Sequence, residues 1–192
     1  MSEKDKMITG ALYNSSDEML TNERLYAEKL MFAFNNLSPD KHEERLNILK
    51  RLLGRIGKNT FIRSTLYCDY GYNLEFGDNC YANHNLTILD CAKVTFGDNV
   101  FIAPNCGFYT ATHPIVAGER NTLLEYAKPI RIGNNVWFGA NVIVLPGVTI
   151  ADNAVIGAGS VVTKDIPANV VAVGNPCRVV REITDKDKML HK

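Results

Sequence analysis

The chain has 192 residues with a formal net charge of zero, and its 46% hydrophobic and 22% charged content is typical of a folded domain rather than of a disordered segment. A general nucleic-acid-binding protein would be strongly basic, so the balanced charge argues against nucleic acid as a partner. The sequence has no long apolar run, no N-terminal leader and no CxxC pair among its five cysteines, so we expect a cytoplasmic protein with reduced thiols and no membrane span.

Residues 1–58 contain 10 basic and 9 acidic side chains and are predicted to form a small helical appendage. Ser15 and Glu18 have the spacing of a capping box, which would precede a helix over about residues 22–35. Ser38, followed by proline and aspartate, predicts the start of a second helix, because serine caps helices and proline fits their first position. The apolar residues of this second segment recur at helical spacing: Leu46, Leu49, Leu52, Leu53 and Ile56.

From residue 60 onward the sequence has a six-residue period. In the stretch with the clearest repeat, the repeating position is always apolar: Ile132, Phe138, Val144, Ile150, Ile156 and Val162. The same spacing runs over residues 76–94, then slips by two residues and resumes at Phe96. A period of six fits neither a helix nor an alternating strand, and it is typical of a chain that turns a corner every six residues. The sequence therefore predicts a parallel β-helix with one large apolar side chain per face pointing inward.

Turn residues at the predicted corners support this fold. Gly-Asp-Asn or a close variant occurs four times, at residues 77–79, 97–99, 133–135 and 151–153. These residue types tolerate the left-handed or tight backbone of a corner. Calcium ligation is the alternative use of such Asp-Asn pairs, but the spacing and closing glutamate of an EF-hand are missing. We expect the β-helix over residues 59–183, with an extruded loop at residues 109–129, and a tail over residues 184–192.

Four histidines are candidates for acid–base chemistry: His42, His84, His113 and His191. His42 lies in a charge-rich predicted helix and His191 lies one residue from the C-terminus, so we expect both on the surface. His113 lies where the six-residue rhythm is interrupted, and long excursions from a regular solenoid often carry function. A histidine in such a loop is either a hydrogen-bonded structural residue or a general base.

Several motifs of the chain resemble those of one family. The repeated Ile/Val-Gly hexads are similar to those of the hexapeptide-repeat acyltransferases, whose fold is a left-handed parallel β-helix. Other segments resemble the maltose and galactoside O-acetyltransferase branch of that family: residues 6–13, 68–73, 109–114, 128–130, 133–137, 146–150 and 162–165. The likeness covers about residues 3–183, including the helical N-terminus. It implies a mainly β, left-handed β-helix with a small N-terminal helical segment.

The resemblance implies an acetyl-CoA-dependent O-acetyltransferase that acts on a sugar hydroxyl of the maltose or glucose type. His113, in Thr-Ala-Thr-His-Pro, matches the general base of the family. A neutral imidazole accepts the hydroxyl proton while the oxygen attacks the thioester in a ternary complex. The resemblance further implies a homotrimer with active sites between subunits, and no metal. The alternative acceptors are a galactoside, an antibiotic or a nodulation factor.

The resemblance also implies acceptor-binding residues. Asn83 matches a family asparagine that contacts the acceptor and the reacting centre, and Asp69 matches an acceptor-binding position that is serine in galactoside enzymes. Ser15 and Glu125 are further acceptor candidates. Cys91 stands where galactoside enzymes have another acceptor-binding aspartate, and this departure favours the maltose-type branch.

The implied coenzyme A contacts combine small residues, a backbone donor and cations. Small side chains let the pantetheine arm lie along the surface, and Lys and Arg are the expected partners of the phosphates. The N–H of Ala140 is implied to stabilise the oxyanion of the tetrahedral intermediate. The full set is Gly139, Ala140, Ala158, Thr163, Lys164, Arg178 and Arg181.

Two other functions are possible on a β-helix. A γ-type carbonic anhydrase would need three zinc-binding histidines from adjacent faces, which four scattered histidines do not favour. A non-catalytic β-helix would be a structural partner protein or an ice-binding protein. Ice binding requires a flat, regular threonine array, and Thr87, Thr95, Thr149 and Thr163 do not form one.

Overall fold

The computed structural model describes residues 1–189. The N-terminal part contains α1 (Glu3–Thr9), β1 (Tyr13–Asn14), α2 (Glu18–Asn36) and α3 (His42–Leu52). At the other end of the chain, Asp185–Asp187 forms a single 3₁₀ turn within the predicted tail. The last three residues of that tail, including His191, lie outside the described residues.

Helix α2 begins earlier than predicted, and its cap is Asp17 rather than Ser15. The Asp17 carboxylate accepts hydrogen bonds from the N–H groups of Met19 (3.0 Å) and Leu20 (3.2 Å). A carboxylate at this position satisfies free N–H groups and also interacts favourably with the positive end of the helix dipole. The capping box predicted for Ser15 and Glu18 is therefore wrong.

Helix α3 begins later than predicted, after Lys41 rather than after Ser38. The Ser38 hydroxyl donates to the Asp40 carboxylate, and the Ser38 carbonyl accepts the N–H of Lys41. These contacts close a turn before the helix. The hydroxyl is engaged inside this turn, so it does not cap the helix.

The strands of the β-helix follow in about six coils. Coils 1 to 3 contain β2 (Arg55–Ile56), β3 (Phe61–Ile62), β4 (Leu66–Cys68), β5 (Leu74–Phe76), β6 (Tyr81–Ala82), β7 (Leu86–Leu89), β8 (Val94–Phe96), β9 (Phe101–Ile102) and β10 (Gly107–Tyr109). An excursion after coil 3 contains β11 (Ala111–Thr112), α4 (Ala117–Arg120) and β12 (Leu124–Ala127). Coils 4 to 6 contain β13 (Ile130–Ile132), β14 (Trp137–Phe138), β15 (Ile143–Val144), β16 (Thr149–Ile150), β17 (Val155–Ile156), β18 (Val161–Val162) and β19 (Val170–Val173), and β20 (Arg178–Glu182) follows.

Three parallel sheets form the faces of a triangular solenoid. Face 1 contains β2, β5, β8, β13 and β16, and face 3 contains β4, β7, β10, β15 and β18. Face 2 contains β3, β6, β9, β14, β17 and β19, with β20 pairing antiparallel to β19 at its end. Strands of successive coils pair in register, as Ile62 does with Ala82 and Ala82 with Ile102.

We name the corners by the faces they join. Corner A, between faces 1 and 2, comprises residues 57–60, 77–80, 97–100, 133–136 and 151–154. Corner B, between faces 2 and 3, comprises residues 63–65, 83–85, 103–106, 139–142 and 157–160. Corner C, between faces 3 and 1, comprises residues 69–73, 90–93, 110–129, 145–148 and 163–165.

The six-residue repeat places its large apolar side chains in the centre of the solenoid. Phe76 and Phe96 stack with ring centroids 4.5 Å apart. Phe108 packs edge-to-face between Phe96 and Phe138, at centroid distances of 5.0 Å and 5.2 Å. All four rings are buried, and edge-to-face pairs add to the stabilisation from burial itself. The predicted inward position is therefore confirmed.

Corner A repeats one set of hydrogen bonds from coil to coil. Asn99 and Asn135 have positive φ angles of 56° and 57°, and the amide of Asn99 donates to that of Asn135 (3.1 Å). The residue before each asparagine accepts a backbone N–H of the preceding coil, as the Asp98 carboxylate does from Asp78 (2.8 Å). The Asp-Asn pairs thus have a structural use. Within residues 1–189, no three His, Cys, Asp or Glu side chains form a group that could hold a metal ion.

The slip in the six-residue period has its cause at corner C. Phe76 and Phe96 pair in register although they are 20 residues apart, whereas Ile132 and Ile150 pair at a separation of 18. The two extra residues of each early coil lie between faces 3 and 1. After coil 3, the same corner opens into the whole excursion of β11, α4 and β12. Corner C of coils 1 to 3 is therefore the irregular part of the solenoid.

Helix α2 covers the open edge of coil 1. The Asn35 side chain donates to the Leu66 carbonyl and accepts the Leu66 N–H, both at 2.9 Å. An exposed strand edge invites pairing with another chain, so covering it with a helix protects the fold. None of the helices within residues 1–189 is long and apolar enough to cross a membrane.

Candidate active site

A cavity of about 540 Å³ lies at corner C, where coils 1 to 3 meet the N-terminal segment and the excursion. Four of the residues predicted from the sequence line it: Ser15, Asp69, His113 and Glu125. The remaining lining residues are Arg24, Leu89, Cys91, Tyr109 and Ala111. These side chains come from the N-terminal segment, three coils and the excursion, so only the folded chain assembles this pocket.

His113 follows β11 and is held by a neighbouring backbone carbonyl. Its Nδ1 lies 3.3 Å from the Leu124 carbonyl oxygen. Because a carbonyl only accepts, this contact assigns a proton to Nδ1, and in the neutral imidazole the lone pair is then on Nε2. The side chain is about half exposed, at 49%, and lines the pocket. This is the arrangement that a general base requires.

Glu125 lies next to the imidazole and is fixed by a buried tyrosine. One oxygen of its carboxylate is 3.9 Å from His113 Nε2, and the other accepts a 2.8 Å hydrogen bond from the Tyr13 hydroxyl. Tyr13 is fully buried, and β1 pairs with β12 so that Tyr13 lies opposite Glu125. The predictions from sequence did not include Tyr13, because the contact joins residues far apart in the chain.

Asp69 and Cys91 form a contact pair in the wall of the pocket. Burial raises the pKa of both groups, so the Cys91 thiol stays protonated and donates to the Asp69 carboxylate at 3.3 Å. A protonated, buried thiol is a poor nucleophile. Cys91 is thus a structural part of the pocket wall that contacts Asp69.

Arg24 is a lining residue that sequence reasoning missed. Its guanidinium donates to the Tyr70 hydroxyl and to the Ser15 carbonyl, both at 2.7 Å. It therefore joins helix α2 to corner C and fixes the turn that contains Ser15. The charge-rich pattern of α2 resembles an ordinary solvated helix surface, so nothing in the sequence distinguished this arginine from its neighbours.

Asn83 does not line the pocket, because it lies at corner B. Its side-chain oxygen accepts the N–H of His84 (2.8 Å). Strand β7 lies between this corner and the pocket, and its four extended residues span about 10 Å. Within one chain, the predicted base and the predicted asparagine are therefore on different corners.

The small residues predicted to contact coenzyme A stack at the same corner as Asn83. Gly139 and Ala140 belong to coil 4, and Ala158 lies on the next coil, where Gly159 N–H donates to the Ala140 carbonyl (2.8 Å). A Cβ at Gly139 would lie 2.5 Å from the backbone nitrogen of Ala158. Only glycine allows the two coils to approach this closely. Trp137, just before this corner on face 2, is 55% exposed.

The remaining predicted residues lie near the C-terminal end of the solenoid. Thr163 and Lys164 are at corner C of coil 5, while Arg178 and Arg181 are on β20. Arg178 donates to the Cys177 carbonyl (2.7 Å). Arg181 forms a two-point ion pair with Asp187, at 2.8 Å and 2.9 Å. A phosphate would have to compete with this carboxylate for Arg181.

A parallel β-helix built from six-residue repeats, with a histidine-bearing loop extruded at one corner, defines the class of hexapeptide-repeat proteins. Residues 6–57 match the family model of the maltose acetyltransferase hexapeptide capping motif. Residues 129–164 match the model of the bacterial transferase hexapeptide, six repeats. The two matches correspond to the N-terminal helices and to coils 4 and 5, which are separated by the coils that build the pocket.

The chain is also similar to individual proteins along nearly its whole length. It is 48% identical to galactoside O-acetyltransferase of Escherichia coli, covering 96% of this chain and 91% of that one. A maltose O-acetyltransferase structure from Clostridium difficile 630 is 52% identical and superposes with a TM-score of 0.95, covering 96% of this chain and 99% of that one. A galactoside acetyltransferase in complex with coenzyme A is 46% identical, with the same TM-score, covering 100% and 96% of the two chains.

These likenesses show that the chain belongs to the hexapeptide-repeat acetyltransferases, in the group of the maltose and galactoside enzymes. It is therefore an acyltransferase, and its fold is the left-handed parallel β-helix of that family. The family and the fold predicted from the sequence are both confirmed.

Proposed function

We propose that the protein transfers the acetyl group of acetyl-CoA to a hydroxyl of a maltose- or glucose-type sugar, with His113 as general base. The observation that carries this proposal is the contact of His113 Nδ1 with the Leu124 carbonyl, which leaves Nε2 as the accepting nitrogen of the neutral imidazole at a pocket of about 540 Å³. Such a volume is within the range of small-molecule sites. Acetyl-CoA as donor is supported by related structures in complex with coenzyme A and with acetyl-CoA.

The pocket has the chemistry to bind a polyhydroxylated acceptor. Asp69 and Glu125 present carboxylate oxygens that accept hydrogen bonds from hydroxyls, and Ser15 adds a further polar group. Arg24 contributes a guanidinium on the same wall. Two carboxylates that accept hydrogen bonds and one guanidinium that donates them line the same cavity. They match the hydroxyl groups of a sugar, each of which can both donate and accept a hydrogen bond.

The reaction we propose is direct transfer. The acceptor oxygen attacks the thioester carbonyl carbon while Nε2 of His113 takes its proton, and the backbone N–H of Ala140 stabilises the oxyanion. The tetrahedral intermediate then expels the coenzyme A sulfur, which receives a proton from the imidazolium. One ester bond forms, one thioester bond breaks, and the imidazole returns to its neutral form.

We further propose a homotrimer with active sites between subunits. The acceptor pocket lies at corner C, whereas Asn83 and the small residues predicted to contact coenzyme A lie at corner B. A neighbouring copy would bring the second set to the first. The exposed aromatic rings of Phe101 and Trp137 on face 2 support such a contact.

We also propose a cytoplasmic location. It is supported by the five cysteines, which all lie within the residues that the structure describes and form no disulfide there.

Replacement of His113 by alanine tests the base. We expect kcat, followed as coenzyme A release with maltose, to fall by about 100- to 10,000-fold while acetyl-CoA binding is retained. His42→Ala is the matched control, because His42 packs against Phe61 outside the pocket. Turnover near that of the control would exclude His113 as the base.

A panel of acceptors tests the substrate. Comparison of kcat/KM for maltose, glucose, a galactoside and chloramphenicol would identify the preferred acceptor.

Mixing two inactive variants tests the shared site. If Asn83 and His113 act together across an interface, coexpressed His113→Ala and Asn83→Ala chains will regain activity, because some interfaces then contain both native residues. Sedimentation measures the oligomer in parallel. A trimer without regained activity would mean that both residues act within one chain, and a monomer would exclude the assembly.

A further inference from the structure

Asp90 has a carboxylate that lies behind the wall of the acceptor pocket. The proposed reaction gives this carboxylate no role. It lies at corner C of coil 2, directly before Cys91, and its exposed fraction is 0%. Buried carboxylates are rare unless they have strong partners. A charged group in this position therefore needs an explanation beyond the packing of the solenoid.

Its partners are backbone N–H groups of the preceding coil. One oxygen accepts the N–H groups of Asp69 (3.0 Å) and Tyr70 (2.8 Å), and the other accepts that of Asn73 (3.3 Å). The Asn73 side chain donates in return to the Asp90 carbonyl at 2.7 Å. A single carboxylate thus holds both ends of corner C in coil 1, residues 69–73.

This held corner presents two groups of the pocket. Asp69 lines the pocket directly, and Tyr70 supports Arg24 by accepting a hydrogen bond from its guanidinium. Corner C of coils 1 and 2 contains the two residues that interrupt the six-residue repeat, so regular stacking does not determine its backbone. The hydrogen bonds to Asp90 are specific interactions that do, and they add to the backbone hydrogen bonds that Gly71 and Asn73 accept from Leu74 and Val94.

We propose that Asp90 is a positioning residue for the acceptor: by holding residues 69–73 it sets the places of Asp69 and Arg24 in the pocket. This inference rests on the proposed function of that pocket. Asp90 does not line the pocket, so its effect is transmitted through the backbone of the corner. Acceptor binding should depend on it, and acetyl-CoA binding should not.

The ionisation of Asp90 should then affect the acceptor. Burial raises the pKa of Asp90 to about 7, against the opposing effect of its backbone hydrogen bonds. The titratable groups that face it are Asp69, Cys68 and Tyr72, none of which is a cation. Protonation converts one accepting oxygen into a donor that faces N–H donors. Within the still-buried corner, one hydrogen bond from a backbone N–H is then lost, so acceptor affinity should fall as the pH decreases through 7.

Asp90→Asn tests the proposal, since the amide keeps the shape but turns an NH₂ group toward an N–H donor. We expect the KM for maltose to rise about tenfold, the loss of one hydrogen bond to a charged group, with the KM for acetyl-CoA unchanged. Calorimetry with maltose and the coenzyme A-bound protein, where no acetyl group can transfer, should show weaker binding at pH 6 than at pH 8. Asp90→Asn should lose that difference.

The matched control is Asp98→Asn. Asp98 also accepts a backbone N–H of the preceding coil, but at corner A, and asparagine already has this function at position 134. Its kinetic constants should stay near those of the wild type. If Asp98→Asn raised the KM for maltose as much as Asp90→Asn, the effect would be general loosening of the solenoid and the proposal would be wrong.

Asp69→Asn distinguishes a failure of the positioning role from a failure of the pocket assignment. A raised KM for maltose in Asp69→Asn but not in Asp90→Asn would overturn the positioning role and leave the pocket assignment standing. No change in either variant would overturn the acceptor pocket itself. If Asp90→Asn does not fold, the wild type decides: the amide proton NMR shifts of Asp69 and Tyr70 should change between pH 8 and pH 6 together with the affinity for maltose, while that of Asp78 stays constant. A maltose affinity that does not change with these shifts would exclude the proposal.

Discussion

At corners A and C alike, a side-chain oxygen accepts a backbone N–H of the preceding coil, but the two corners differ in whether that side chain is exposed or buried. At corner A, the exposed Asp98 accepts the N–H of Asp78, and the pattern recurs with Asn134 and Asp152 on later coils. At corner C, Asp90 accepts N–H groups of the preceding coil while fully buried. Solvent stabilises the charge at corner A, whereas burial at corner C leaves only the backbone to do so. The regular corner is a repeated structural unit, whereas we propose that the irregular one couples a charge to a binding site.

The largest expected effect is on the pH dependence of stability. The pKa of Asp90 is raised to about 7 in the folded chain, against about 3.9 in an unfolded one. Between these values the folded state binds more protons, so the free energy of unfolding falls as pH rises, by at most about 1.4 kcal/mol per pH unit. Below pH 4 this contribution is fully present, and above pH 7 it is lost.

Urea unfolding of the wild type and of Asp90→Asn at several pH values measures this effect. The wild type should lose stability relative to the variant from about pH 4 to pH 7, and the difference should be constant above pH 7. A difference that does not vary with pH would show that Asp90 is not the titrating group. The buried charge therefore costs stability, and we propose that it is retained for acceptor binding, a trade-off that is common at functional sites.

An intermediate effect is expected at corner A. Asn99 has a φ angle of 56°, which alanine adopts at a cost of about 1–2 kcal/mol. Asn99→Ala should lower the free energy of unfolding by about that amount and leave the KM for maltose unchanged. Asn99→Gly is the control, because glycine adopts this φ without strain. Equal losses in the two variants would mean that the amide ladder, not the backbone angle, is responsible.

The smallest effect is expected where the N-terminal segment meets the excursion. Burial raises the pKa of Tyr13, so its hydroxyl stays neutral and donates to Glu125 at 2.8 Å. Tyr13→Phe keeps the ring and removes a hydrogen bond of about 1 kcal/mol, or about fivefold in affinity. The KM for maltose should rise by that factor with an unchanged KM for acetyl-CoA. An unchanged KM for maltose would show that Glu125 does not contact the acceptor.

Several residues of the candidate site could be predicted from the sequence, but only those that lie in a recognisable motif. His113 was found because it interrupts a strict repeat and matches a family motif, and Asp69 and Glu125 were implied by position alone. Arg24, Tyr13 and Asp90 were missed. Their roles depend on contacts across 46, 112 and 20 residues, respectively, and no local pattern reports such contacts. The two-residue slip in the period was visible and does mark corner C of the early coils.

The sequence by itself determined the solenoid. Each coil needs one large apolar side chain per face and a residue that tolerates a tight turn at each corner, so the repeat specifies the fold coil by coil. The helix starts were less well determined, since Asp17 and Ser15 are both good caps and only packing selects between them. The tertiary structure alone decided the pocket. Its parts come from segments far apart in the chain, and one buried carboxylate holds the corner that joins them.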